Sequence, residues 1–220
     1  VYSFMHRLTT LIITIFLALH AMAQQEEFCI QEIPDSIFAR MQGKSWSEDC
    51  RIARSDLKYL KLLHVDENGK THRGELICNK AIAADLLEIF RQLYRNRYPI
   101  HSVRLIDEYA GNDELSMRAN NTSCFNYRKT SRGAISKHAR GMAIDINPLW
   151  NPCVHITGRK AGTIEPSTAK RYANRQKTAD DSVNIKKINR NDLCYKLLTK
   201  HGFRWGGNWR SMKDYQHFEK

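Results

Sequence analysis

The chain has 220 residues, 42% of them hydrophobic, and a formal net charge of +12. That length suits one globular domain with a short processed segment, and the composition excludes a disordered or fibrous chain. No tract of low complexity and no internal repeat is visible. The positive charge is scattered over Lys58, Lys61, Arg91 to Arg97, Lys186, Lys187 and Arg190, which reads as solvated faces and not as a binding stripe.

Residues 1–23 read as a signal peptide. His6 and Arg7 lie in a short leading region, Leu11 to Leu19 form an apolar run, and Ala21-Met22-Ala23 is a small-x-small cleavage pattern, with Met5 as the natural start. The run is too short for a comfortable span, so no membrane segment is expected after cleavage. An exported, periplasmic or extracellular protein is therefore expected. Export disfavours nucleic acid as a partner and makes an anionic envelope polymer the more natural one. Six cysteines follow the cleavage site, Cys29, Cys50, Cys78, Cys124, Cys153 and Cys194. Disulfides are permitted, at most one or two are expected, and their pairing is not readable. No CxxC pair is present, which disfavours a cysteine zinc site or a thioredoxin-like motif.

Leu57 to Val65 reads as a strand, Asp66-Glu67-Asn68-Gly69 as a turn, and Thr71 to Cys78 as the returning strand. Asn79 reads as the N-cap of a helix over Lys80 to Asn96, where Ile82, Leu86, Ile89, Phe90 and Leu93 recur at helical spacing and Pro99 follows the end. Val103 to Ile106 reads as a short strand, and Asp107 to Asn121 as a polar, irregular stretch with room for a short helix. Gly141 to Ile146 alternates, with Met142, Ile144 and Ile146 on one face and Ala143 and Asp145 on the other. Residues 151–185 read as a long excursion. Asp192 to His201 reads as a second helix closed by Gly202, Trp205-Gly206-Gly207 as a turn, and Tyr215 to Glu219 as the last strand. Strands and helices are segregated, so the expected class is α+β, a small antiparallel sheet flanked by helices.

The strongest chemical signal is Ser136-Lys-His138-Ala-Arg-Gly141-Met-Ala143-Ile-Asp145. Gly141 lets the backbone turn between a histidine and a strand-borne carboxylate, and that pair suits a divalent metal. A catalytic zinc needs a third protein ligand, which Asp214-Tyr-Gln-His217 offers, with Asp214 left over as a general base.

The paired motifs, Ser-x-His-x-x-Gly-x-Ala-x-Asp and a distant Asp-x-x-His, resemble the zinc D-alanyl-D-alanine carboxypeptidase family. Its fold is similar to that of vancomycin-resistance dipeptidases, L-alanyl-D-glutamate endolysins and the hedgehog domain. The resemblance runs from about Gly74 to the end. Asn120 to Ser123, Phe125 to Arg128 and Gly202 to Trp209 are similar to one bacterial branch. It implies one zinc ion held by His138, Asp145 and His217, Asp214 as base, and Arg128 as the group that polarises the scissile carbonyl. Ser136 and Trp205 are weaker candidates for contact with substrate, each balanced by a turn or core role, and Trp209 reads as a wall. Asp214 has a second reading, as an orienting partner of His217. His64, His72, His101, His155 and His201 lack partner spacing and read as structural or exposed.

The implied layout is a signal peptide over 1–23, an N-terminal extension and hairpin over 24–73, and a monomeric peptidase domain over 74–220. The implied activity is cleavage of D-amino-acid-containing peptidoglycan peptides, at the terminal D-Ala-D-Ala bond. Two alternatives stay open within reach of the same motifs, an L-Ala-D-Glu endopeptidase and a non-catalytic zinc-binding module. A third, an exported binding protein with incidental histidines, predicts no metal.

Overall fold

A computed structural model describes residues 27–128 and 134–220 of the chain; the expected signal peptide lies outside them. In chain order the elements are β1 (Cys29–Gln31), α1 (Asp35–Met41), β2 (Leu57–Val65), β3 (Thr71–Asn79), α2 (Ala83–Arg95), β4 (Ser102–Val103), α3 (Asp113–Arg118), β5 (Asn121–Thr122) and β6 (Ala143–Asp145). Then follow β7 (Cys153–His155), β8 (Ile164–Glu165), α4 (Lys170–Ala173), α5 (Asp181–Asn184), α6 (Leu193–Lys200), β9 (Arg204–Trp205), β10 (Met212–Asp214) and β11 (His217–Glu219). The class is α+β as expected. In place of one sheet there are, among the described residues, three small antiparallel ones, in the orders β1-β2-β3, β10-β7-β8 and β6-β11-β9, with a short parallel ladder of β4 and β5.

The hairpin of β2 and β3 runs in unbroken register from Leu57 opposite Asn79 to Val65 opposite Thr71. Its turn is tied by Asp66, whose carboxylate accepts from the amides of Asn68 and Lys70, while Gly69 takes φ +78°. Strand β2 has both faces covered. Leu60 and Leu62 join Leu86, Phe90, Leu93, Leu198, Ile144 and Phe218 in the main core. Leu57 and Tyr59 join Met41, Ile77, Phe125 and Ala139 in a smaller one. Each such fully buried side chain contributes roughly 1.5–3 kcal/mol through apolar burial.

Some expectations shift. Asn79 caps a turn, accepting from the Ala81 amide, and the helix behind it starts at Ala83. Only Ser102–Val103 of the next stretch is extended, because a single helical turn takes over from Ile106 to Tyr109. The short helix allowed for within Asp107 to Asn121 forms at α3, capped by Asn112. The excursion over 151–185 carries β7, β8, α4 and α5. Asp192 caps α6 by accepting from the amides of Cys194 and Tyr195, and Gly202 follows at φ +85°. All six cysteines are free thiols, so the bridges allowed for do not form.

His64 gives the hairpin a pH dependence. Its side chain is enclosed, Nδ1 donates to the Ile100 carbonyl at 2.7 Å, and the ring stacks on His72. Burial pushes its pKa down to about 4, aided by His72 and His101 and opposed by the Ile100 bond and Asp66. The unfolded chain binds a proton near the ordinary histidine value of about 6.5, which the folded chain refuses, so stability falls as pH drops from about 6.5 to 4, by up to about 3 kcal/mol. Urea unfolding at pH 7.5 and pH 5 should show a smaller acid loss in His64→Asn than in the natural chain. Equal losses would remove His64 as the cause.

Candidate metal centre

The turn that presents His138 is held from below. The Ser136 hydroxyl accepts from the His138 amide at 3.1 Å, which makes Ser136 a turn hydroxyl in the structure. Gly141 closes the turn at φ +64°, donating to the His138 carbonyl, and its own carbonyl accepts from the Asn79 amide at the end of β3. Strand β6 then leads to Asp145, and its antiparallel neighbour β11 sets His217 directly opposite Asp145. The two side chains therefore share one face of the sheet.

Three donor atoms converge. His138 Nε2 lies 3.2 Å from Asp145 Oδ2 and 3.1 Å from His217 Nδ1, and His217 Nδ1 lies 3.1 Å from Asp145 Oδ1. The far sides of both rings are occupied. His138 Nδ1 donates to the Cys124 carbonyl at 2.7 Å, and His217 Nε2 faces the Glu219 carboxylate at 3.4 Å. A carbonyl only accepts, so the His138 proton sits on Nδ1 and the Nε2 lone pair turns inward. This outward anchoring is how ligating histidines are oriented.

Both rings are buried and Asp145 nearly so. Burial works to raise the Asp145 pKa, but the two imidazoles overcome it and hold the carboxyl well below the usual carboxylate range. Burial also works against charge on His217, yet bonds to Asp145 and Glu219 push its pKa up to about 10. The two shifts are the two sides of one pairing, a carboxylate held against imidazoles. Ligand distances of about 2.0–2.2 Å in a tetrahedral site imply donor separations of roughly 3.3 Å, close to those observed. Two histidines and one carboxylate are the protein donors of a familiar kind of catalytic zinc site, and His138, Asp145 and His217 fit such an ion.

Asp214, on β10, stands close by. Its Oδ1 is buried and has no hydrogen-bond partner. Burial pushes its pKa up to about 6, with Asp145 adding to the rise and His217 and His138 opposing it. Gly206 packs into the corner between the two motif residues: a Cβ there would lie 2.7 Å from the Asp214 carbonyl oxygen and 3.3 Å from His217 Cβ. The partner that steadies the outer nitrogen of His217 is Glu219, which sequence reasoning missed. Its role depends on the same strand face, two residues on from His217.

Arg128 forms an ion pair with Asp113, whose other oxygen accepts from Asn126 at 2.9 Å, and no contact with the three donors is among its described bonds. Trp205 lies in the core, its ring flanked by Tyr195, Tyr215 and Phe218 and its Nε1 donating to the Tyr215 carbonyl. Trp209 borders the centre, 5.1 Å from the His217 ring.

Residues 129–220 match the family model of D-alanyl-D-alanine carboxypeptidases. For that segment the resemblance carried by the two motifs is shown. The matched segment contains His138, Asp145, Asp214 and His217, and Arg128 immediately precedes it. No curated protein and no solved structure matches the chain. The carboxypeptidase match supports a metallopeptidase. No helix among the described residues is long and apolar enough to cross a membrane.

Proposed function

We propose that this chain is an exported bacterial zinc peptidase, periplasmic or extracellular, that removes the terminal D-Ala from peptidoglycan stem peptides. One observation carries the reading: the inward lone pair of His138, His217 Nδ1 and the Asp145 carboxylate meet beside Asp214, whose buried oxygen has no partner. The layout is a cleaved leader over 1–23, an extension and hairpin over 24–73, and a monomeric catalytic domain over 74–220 with a hedgehog and DD-peptidase type of fold. The family match over 129–220 supports the reading.

His138, Asp145 and His217 hold the metal, steadied by the Cys124 carbonyl and Glu219. When bound, zinc lowers the pKa of a water molecule and polarises a carbonyl. Asp214 accepts the proton of the attacking water, and the peptide bond of the substrate breaks as Asp214 returns that proton to the leaving amine. A carboxyl poised near pH 6 suits both halves of that exchange. Arg128 binds the scissile carbonyl oxygen and steadies the negative charge that develops on it. For that it turns from, or shares, its pairing with Asp113. Ser136 supports the turn beneath His138, and Trp209 walls the pocket.

Mass spectrometry of wall muropeptides digested with the purified protein tests the proposal. Loss of one terminal D-Ala, blocked by a chelator and restored by zinc, is the expected result. Release of whole stem peptides would replace it with the L-Ala-D-Glu endopeptidase. No product from zinc-loaded protein would replace it with a non-catalytic zinc-binding module.

A further inference from the structure

A second group of side chains with metal-binding chemistry lies on the β10-β7-β8 sheet, whose β10 also carries Asp214, opposite Cys153 in register. Cys153 and His155 are two residues apart on β7, so they project from the same face. In register, Met212 of β10 stands opposite His155, and Glu165 of β8 stands opposite Cys153. Cys153 Sγ is 3.9 Å from His155 Nε2 and 3.7 Å from Met212 Sδ, and His155 Nε2 is 3.4 Å from Glu165 Oε2. Lys160 pairs with the other oxygen of Glu165 at 2.7 Å, which fixes the carboxylate with Oε2 turned towards the imidazole.

Three features single this group out. Cys153 is only 4% exposed, and its described contacts are an imidazole and a thioether, with no carbonyl or hydroxyl to satisfy the thiol. The imidazole nitrogen stands 3.4 Å from the carboxylate oxygen and 3.9 Å from the sulfur, and all three donor atoms lie within 4.8 Å of one another, where ligands at about 2.0–2.3 Å from a shared ion stand roughly 3.3–4 Å apart. The donor types are also selective: thiolate, thioether and imidazole together suit soft ions, while carboxylate completes a zinc set. The sequence hid this group, because its spacing is that of one strand face and not of a CxxC turn.

We infer that Cys153, His155 and Glu165, with Met212 beside them, form a second cation site, which borders the first at Asp214 but uses none of the ligands His138, Asp145 and His217, and which is selective for a thiophilic d10 ion, zinc or copper(I). Binding would form an S–metal bond at Cys153 and release the thiol proton to solvent, with no change of oxidation state. The inference does not rest on the peptidase reading, since the two sites share no residue.

The test is native mass spectrometry of the reduced chain titrated with zinc or with copper(I), beside cobalt(II) substitution. Two cations are expected on the natural chain, with thiolate-to-cobalt absorption in the near ultraviolet. Cys153→Ser and His155→Gln should each bind one cation and lose that absorption, and their remaining cation shows that they fold. A His138→Ala, His217→Ala double variant should keep one cation and the sulfur signature. Loss of copper(I) affinity by tenfold or more in Met212→Leu, with zinc unchanged, would identify copper(I) as the better occupant; no loss would identify zinc. A natural chain that takes up no cation with a sulfur signature, or a signature that survives in Cys153→Ser, would overturn the site. If the double variant matches the natural chain in cation count, it is the His138 centre that fails.

Discussion

Asp214→Ala is expected to bind zinc as the natural chain does and to lose turnover by about a hundred- to ten-thousand-fold, the usual worth of a positioned general base. The carboxylate is not one of the three converging donors, so the metal keeps its ligands. Folding should not suffer either. Asp214 holds one buried oxygen without a partner, so relief of part of its desolvation cost offsets the loss of its side-chain bond with Gln216, each about 1 kcal/mol. A stability equal to or above that of the natural chain, with zinc present and activity gone, is the combination to look for. Zinc content, kcat and the urea midpoint measured on one preparation decide it. A variant that loses its zinc would make Asp214 an orienting partner of His217, and one that keeps its activity would remove Asp214 from the chemistry.

Gly141→Ala should have the largest effect on stability, about 3 kcal/mol or more. The residue sits at φ +64°, which a side chain tolerates poorly, and an added Cβ would lie 2.6 Å from the Asn79 amide nitrogen and 3.1 Å from the Cys78 carbonyl carbon. Those are backbone atoms of β3, the fully paired arm of the hairpin, and they cannot move aside as a flexible side chain does. The same shift would drag the His138 turn off its seat, because the Gly141 amide donates to the His138 carbonyl. Weaker zinc binding should therefore accompany the loss of stability. Urea unfolding with and without zinc separates the two effects. A cost below about 1 kcal/mol would mean that the turn is not pinned to β3 as described.

The hairpin, α2 and α6 are legible in the sequence because they are long enough for periodicity, turn residues and caps to agree. The short strands are not. β7, β8 and β10 have two or three residues each and exist only because distant segments pair, so no local pattern announces them. The motif residues His138, Asp145 and His217 are readable as a set, since a glycine turn and two brief strands suffice to bring them together. Glu219 was not, because nothing about its type distinguishes it until the register shows which carboxylate faces His217. Trp205 belongs to the core for a similar reason: aromatic neighbours from α6 and β11 close around it, and its spacing from the motif says nothing of them.

Asp145 and His217 are 72 positions apart in the chain yet directly opposed in space. The intervening segment is thus a closed loop whose two ends are clamped by sheet pairing. The entropy of closing such a loop grows only with the logarithm of its length, about 0.6 kcal/mol for each doubling. Insertions made within it, at Gly158 or Gly162 where the backbone turns into open space, would leave the clamp almost undisturbed. The fold thus offers an evolving or engineered protein a place to rebuild the surroundings of the metal centre, and so the choice of substrate, without renegotiating the ligands themselves.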